Sequence, residues 1–502
     1  MSYARRGMGM ARVWTILRYI VIACSLLMLV PSDSDARPGG GSGYSGGSSG
    51  GSYSGGGGYS SGGGGYSSGG GYDGDGGEMN AEFAAIALIL CLLMWGIGAW
   101  IEASGSIKFD SSSMVGPSLE RTRLSAIRQQ DKNFSEVVFG DWMYALVSRA
   151  YSSSQEELKS LAPYLSASVR GHLSVLKSQG EVQVVIGSIT DTRVWLPDSS
   201  SVDSNNYYVA VTIELNLVTS TGTTYLKEYW SLHRKGGVLT RKPEGTQVFN
   251  CPNCHAVFQS VNDDICGHCQ TAVGFGVYDW FVVRAATGSK QSRSGGVGHY
   301  SVEVGTRWHT TFDPYVRQWI ENLQAETGFD RTAFTTRCAM IFHQMNEAWS
   351  EDKLESIRGL VSDGIYSYLD HGLQPYREEN LRNIIKGATV NGYEIAKVTR
   401  DAYYDAVVIR IWASGLDYVV RKDSNQFYSG NQSSPRQYSE YWTMIRGRGV
   451  NGKIGVEPAC PNCGAELSIS MSGNCDFCQA HVTSGEFDWI LGKIEQDESY
   501  IG

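Results

Sequence analysis

Apolar residues recur at helical spacing in two separate stretches of the chain. Phe139, Trp142, Leu146 and Ala150 fall on one helical face, and Phe334, Cys338, Ile341, Met345 and Trp349 do the same further on. Another apolar face follows each: Leu158, Leu161, Leu165 and Leu173 after the first, and Leu354, Ile357, Leu360 and Val361 after the second. Runs rich in Val, Ile, Thr and Tyr come next. Val182 to Asp191, Tyr207 to Val218 and Tyr225 to His233 are answered by Tyr393 to Thr399, Tyr404 to Ala413 and Glu440 to Ile445. Helices followed by strands, twice over, predict an α+β fold in which helices pack on one face of an antiparallel sheet.

The first quarter of the chain follows no such pattern. Arg5, Arg6, Arg12 and Arg18 precede an apolar run from Tyr19 to Val30, and Ser34-Asp35-Ala36 offers a small-x-small cleavage site, so residues 1–36 read as a signal peptide or a first anchor. Cys24 also sits in a lipoprotein-like box, which leaves lipidation as an alternative. Residues 37–80 are almost all Gly and Ser, with Tyr44, Tyr53, Tyr59, Tyr66 and Tyr72 at irregular intervals. Too little apolar area is available there to offset ordering entropy, which predicts a disordered tether about 35 Å in mean span. Phe83 to Ile101 carries no charge, and at ~1.5 Å per residue it is long enough to cross a bilayer. Asp73, Asp75, Glu78 and Glu82 precede it, while Lys108, Arg121, Arg123 and Arg128 follow, so the cation bias puts the rest of the chain on the cytoplasmic side. Residues 102–125 form the juxtamembrane segment.

Cysteine supplies the sharpest chemistry. Cys251, Cys254, Cys266 and Cys269 read C-P-N-C, eleven residues, C-x-x-C, and Cys460, Cys463, Cys475 and Cys478 repeat that pattern. Zinc takes four thiolates in a tetrahedron, and two facing C-x-x-C turns provide them, so the spacing predicts two structural zinc ions in ribbons at 251–269 and 460–478. Disulfides are the alternative reading, but they require an oxidising compartment and do not demand identical spacing. His255 and His268 stand in or beside the first cluster and read as bystanders, since four thiolates complete the site. Cys24, Cys91 and Cys338 fall in apolar surroundings, where a thiol behaves as a small hydrophobe.

Superposing the cysteine clusters brings other segments into match. Lys227-Glu228-Tyr229-Trp230 answers to Ser439-Glu440-Tyr441-Trp442, and Tyr278-Asp279-Trp280 to Phe487-Asp488-Trp489. Upstream, the segment from Phe134 to Phe139 pairs with that from Phe329 to Phe334. These matches predict a duplicated domain, at 126–286 and 315–496, joined by a linker at 287–314. Each ribbon would then lie between two strands and cap a hairpin.

The segment from Phe329 to Phe334, with Ile341 to Trp349, Leu354 to Leu360 and Ile365 to Leu369, closely resembles the opening of the Tim-forty-four-like (Tim44-like) domain. Phe134 to Leu173 resembles a more diverged copy. The family is named for a mitochondrial inner-membrane import subunit and has membrane-anchored bacterial relatives. The resemblance implies a cone-shaped fold of the nuclear-transport-factor-two type, a curved sheet around helices with a cavity between them. It also implies a binding or scaffold role at a membrane, linked to protein translocation or membrane-protein assembly. The duplication, the ribbons and the glycine-rich tether depart from the family pattern.

Charge narrows the partners. The formal net charge is -9, and removing residues 1–36, with four Arg and two Asp, makes it more negative still. A chain that binds phosphates needs a basic surface, which argues against nucleic acid as the main partner and leaves a zinc-ribbon nucleic-acid reader as a distant reading. Cone folds also host enzymes with an Asp base and a Tyr donor, and Asp279, Asp488, Tyr229 and Tyr441 occur in both copies. Trp and Tyr need hydrogen-bond partners when buried, so a packing role fits the same residues, and no catalytic residue is assigned. His309, His343 and His371 have no nucleophile or carboxylate at a telling spacing. The expected protein is a non-enzymatic membrane scaffold, anchored in the bilayer by residues 83–101, that offers two aromatic-lined cavities to a protein or lipid-like ligand.

Overall fold

The computed structural model describes residues 124–176, 182–197, 205–219, 222–243, 249–262, 265–293, 305–449 and 488–497, together with 460, 463–465, 477, 500 and 502. The predicted signal peptide, tether and membrane span, and Cys24, Cys91, Cys475 and Cys478, lie outside these residues. Among the described residues no helix is long and apolar enough to cross a membrane.

The element order repeats. In the first unit come α1 (Glu136–Ser152), α2 (Gln155–Ser160), α3 (Ala167–Leu176), β1 (Gln183–Trp195), β2 (Asn206–Thr219), β3 (Gly222–Lys235), the short pair β4 (Ser260–Asn262) and β5 (Ile265–Cys266), then β6 (Phe281–Arg293). The second unit has α4 (Val316–Thr327), α5 (Arg331–Glu351), α6 (Asp363–Glu378), β7 (Leu381–Arg400), β8 (Tyr404–Arg421), β9 (Phe427–Gly447) and β10 (Ile490–Gln496). Each unit has one four-stranded antiparallel sheet, ordered β1-β2-β3-β6 and β7-β8-β9-β10.

Capping side chains start the long helices. Ser135 accepts from the Val138 amide and opens α1, Asp330 accepts from the amides of Thr332 and Ala333 and opens α5, and Ser362 does the same for α6. The apolar stripes face the sheets, and Phe139, Trp142 and Leu146 are buried in one core as Phe334, Cys338, Ile341 and Trp349 are in the other. The two cores share an aromatic joint. Phe139 meets Trp280 edge-on at 5.3 Å, and Phe334 meets Trp489 edge-on at 5.1 Å.

Several strands run beyond their sequence signals. β7 begins at Leu381, twelve residues before the expected Tyr393, because bulges between Lys386 and Thr389 and between Val390 and Gly392 scramble the alternation. β6 continues to Arg293, past the boundary expected at 286. The second unit also begins before the expected 315. Residues 305–313 lie across the outer face of the second sheet, where buried Arg410 pairs with Asp497 at 2.9 Å and donates to the carbonyls of Gly305 and Trp308. A buried guanidinium is invisible to a pattern that assigns charge to solvent, which is why the segment reads as a linker.

Trp230 and Trp442, two of the aromatics expected to line cavities, fill the cores instead. Trp230 stacks on Tyr151, and Trp442 packs beside Phe342 and donates to Glu440 at 2.9 Å. A shallow groove lies between α5 and the start of β7, lined in part by Asn346, Glu347 and Lys386.

Candidate metal centre

The first cysteine cluster sits in the connection from β3 to β6, two adjacent strands, so the ribbon rises from one end of the sheet. Its two C-x-x-C turns are built alike. The Cys251 amide donates to the Ala256 carbonyl, and the Cys251 carbonyl accepts from the His255 amide. In the second turn Cys266 makes the same bonds with Thr271 and Gln270. Each turn closes through a left-handed residue, His255 at φ 60° and Gln270 at φ 58°. The turns aim four sulfurs at one point, with all four Sγ atoms within 4.8 Å of one another.

These distances suit a metal ion. Tetrahedral zinc with bonds of ~2.3 Å has sulfur–sulfur edges of about 3.8 Å. Cys251 and Cys269 lie 3.8 Å apart, and Cys254 and Cys266 lie 3.9 Å apart, all four as free thiols. Burial pushes the Cys251 thiol up to about 12, while Thr271 and Asn253, hydrogen-bonded to the Cys269 sulfur, bring that thiol down to about 5. A half-buried, ready thiolate beside a buried, reluctant thiol means that a bound cation would have to displace the proton from the Cys251 sulfur.

The ribbon is held to the body of the first unit by apolar and polar contacts. Cys251, Cys266, Phe258 and Val273 pack with Ala162 from the helical layer, and Tyr164 donates its hydroxyl to the Asn250 carbonyl at 2.9 Å. His255 and His268 are exposed.

Half of the second cluster is described. Cys460 donates its amide to the Ala465 carbonyl, and its carbonyl accepts from the Gly464 amide, both at 2.7 Å. Gly464, at φ 71°, stands where His255 stands in the first ribbon. The turn therefore repeats the first-ribbon geometry, with Cys475 and Cys478 outside the described residues.

Asp279 and Asp488 take matching positions. Each accepts from the amide of the following Trp, at 2.8 and 2.7 Å, and each faces an arginine, Arg241 or Arg337. Burial raises the pKa of the Asp279 carboxyl against the pull of Arg241. Tyr229 and Tyr441 point the other way. Their neighbours Trp230 and Trp442 enter the cores, so both tyrosines project from the outer sheet faces, Tyr229 to solvent and Tyr441 against Tyr500 at 3.8 Å. Asp and Tyr of each unit thus do not meet in one site. The recurrent residues missed by sequence reasoning are Arg234 and Arg446, which stack on Trp280 and Trp489 at 4.6 and 4.5 Å. Their shared offset from the matched Trp pair on β3 and β9 was the available signal.

Residues 320–453 match the Tim44-like domain. The matched stretch runs from within α4 through β9, so the Tim44-like region comprises the helices and three of the four strands of the second unit. A solved structure titled "Ntf2 like protein involved in plasmid conjugation" aligns with 71% of this chain and 95% of its own, at 8% identity. Its TM-score of 0.15 is too low to bear on the fold. No curated protein matches the chain.

Proposed function

We propose that this protein is a membrane-anchored, non-enzymatic scaffold with two Tim44-like domains, each carrying a zinc ribbon that stiffens one end of its sheet. The match of residues 320–453 to the Tim44-like domain carries this reading. The repeated element order and aromatic joint support assignment of the first unit to the same family, by duplication. The four converging sulfurs support zinc in the first ribbon, and the Cys460 turn supports a second ion in the other. Residues 83–101 would anchor the chain in the bilayer with both domains on the cytoplasmic side, where reduced thiols are available to zinc.

A scaffold role agrees with the use made of the recurrent polar residues. Asp279 and Asp488 hold arginines and cap the strands that follow, which is architecture rather than proton transfer. The partners are proteins or lipid-like molecules at the membrane face, in translocation or membrane-protein assembly. Proximity labelling from the C-terminus of the full chain in intact membranes, with metal analysis of the purified protein, tests these points together. Cytoplasmic proteins and zinc should both be found. Labelling confined to the opposite compartment, or turnover of small substrates abolished by Asp279→Asn at unchanged folding, would replace the reading.

A further inference from the structure

The outer face of the first sheet carries a row of rings that the second sheet lacks. Trp195 pairs with Tyr208 in register, Tyr208 with His233, and His233 with Phe281, so one row crosses all four strands. The Tyr208 and His233 rings lie 5.9 Å apart, those of His233 and Phe281 5.7 Å, and Phe275 extends the row by a further 5.7 Å. The corresponding row of the second sheet is Thr399, Ala406, Ile445 and Ile490. The same fold is therefore built without aromatics at these positions; Phe281 is buried beneath its neighbours at 2% exposure, so the rings within reach of a ligand are exposed Trp195 and Phe275 and half-buried Tyr208 and His233. Both ends of the row are open: Trp195 is 45% exposed and Phe275 is 57% exposed. Phe275 also holds φ at 62°, an unfavourable conformation for a bulky residue, and is left in solvent at that cost.

The next row on the same face is Arg193, Ala210, Ser231 and Arg284, with cations at its two ends and small side chains between. Arg193 lies over the Trp195 ring at 5.4 Å, and on the opposite flank Lys235 pairs with Asn206. No described carboxylate stands in either row. A face of opposite sign to the chain as a whole, with planar rings about 6 Å apart and cations alongside, has the two components that single-stranded nucleic acid requires. Bases stack on aromatic side chains whatever their sequence, and the phosphates between them meet Arg and Lys.

We propose that this face is a stacking platform for a short single-stranded nucleic acid. The net charge of -9 disfavours nucleic acid for the chain as a whole but leaves this face locally basic. Three cations contacting phosphate give a slope of log affinity on log salt of about -2, at ~0.7 per phosphate on a single strand.

The test uses the full chain in detergent and fluorescein-labelled twelve-nucleotide oligo(dT) and oligo(U), followed by anisotropy at low salt. Binding with a salt slope near -2 is expected. Trp195→Ala should weaken it about tenfold, and Arg284→Ala should reduce the slope by about one phosphate; both side chains are exposed, so neither change threatens folding. An abasic oligonucleotide of equal length should bind markedly more weakly. Absence of binding at 50 mM salt, equal binding of the abasic strand, or indifference to both substitutions would overturn the proposal. Displacement by an acidic peptide containing aromatic residues, at lower concentration than by oligo(dT), would reassign the face to a protein partner.

Discussion

Arg241 joins Asp279 to the cysteine ribbon. Its Nε lies 3.5 Å from the Asp279 carboxylate, and its Nη2 donates to the Pro252 carbonyl, inside the C-P-N-C turn, at 3.2 Å. The aspartate that sequence reasoning weighed as a catalytic base is thus one end of a bracket between the cysteine loop and β6.

Arg241→Ala should therefore cost about 1–2 kcal/mol and leave metal content unchanged, because the sulfurs are set by their own turns. Asp279→Asn should cost less, since it removes a carboxylate whose pKa burial has raised. A raised acid pKa means that this group favours folding more at low pH, the advantage fading as pH rises from its unfolded value through the folded one. Denaturant melts of both variants with zinc analysis check the order; equal or reversed losses would contradict it.

Removal of the metal should destabilise the first unit by several kcal/mol, because binding free energy is folding free energy at such a site. Cys251→Ser, or a strong zinc chelator, should lower Tm, and acidification should release the ion as the thiolates regain protons. An unchanged Tm in a chain free of zinc would remove the structural role.

Gly464 and His255 occupy the same left-handed position in the Cys460 and Cys251 turns. Among the described residues a Cβ at Gly464 would meet nothing within 4 Å, so Gly464→Ala tests backbone strain and should cost about 1 kcal/mol. His255→Gly should be neutral or slightly stabilising. Calorimetry of the two variants gives the comparison.

Arg410 is fully buried against Asp497 and accounts for much of the attachment of residues 305–313. Truncation to Ala leaves a buried carboxylate without its cation, a loss of about 3–5 kcal/mol. Hydrogen exchange should rise in 305–313 before it rises in β8, and a double change of Arg410→Met with Asp497→Leu should recover much of the stability.

His371 sits where the two units touch, with its Nε2 3.4 Å from the Asn216 amide nitrogen and its Nδ1 3.3 Å from Gln374 Oε1. Accepting from Asn216 requires a neutral ring, and burial lowers its pKa. A lowered histidine pKa gives stability that is present above the unfolded value, near 6.5, and is lost as pH falls through the folded one. The wild-type chain should lose stability between pH 7 and 5, and His371→Gln should flatten that dependence; parallel curves for the two would exclude this contact as the cause.

Period and spacing alone determined the local elements and their order, helices before strands in each unit. Phe139 with Trp142 and Phe334 with Cys338 lie on buried helical faces, and the first cysteine pattern closes into one cluster, because helical period and C-x-x-C turns are short-range properties. Tertiary structure decided what the shared polar residues do. Asp279 and Tyr229 are separated by the pleat that sends Trp230 inward, and Arg410 is buried because a distant segment, 305–313, folds over it. Those outcomes depend on which strand lies beside which and on what covers each face. The row from Trp195 to Phe281 shows the difference most directly: its four residues are scattered over 87 positions of sequence, and only the register of four strands aligns them.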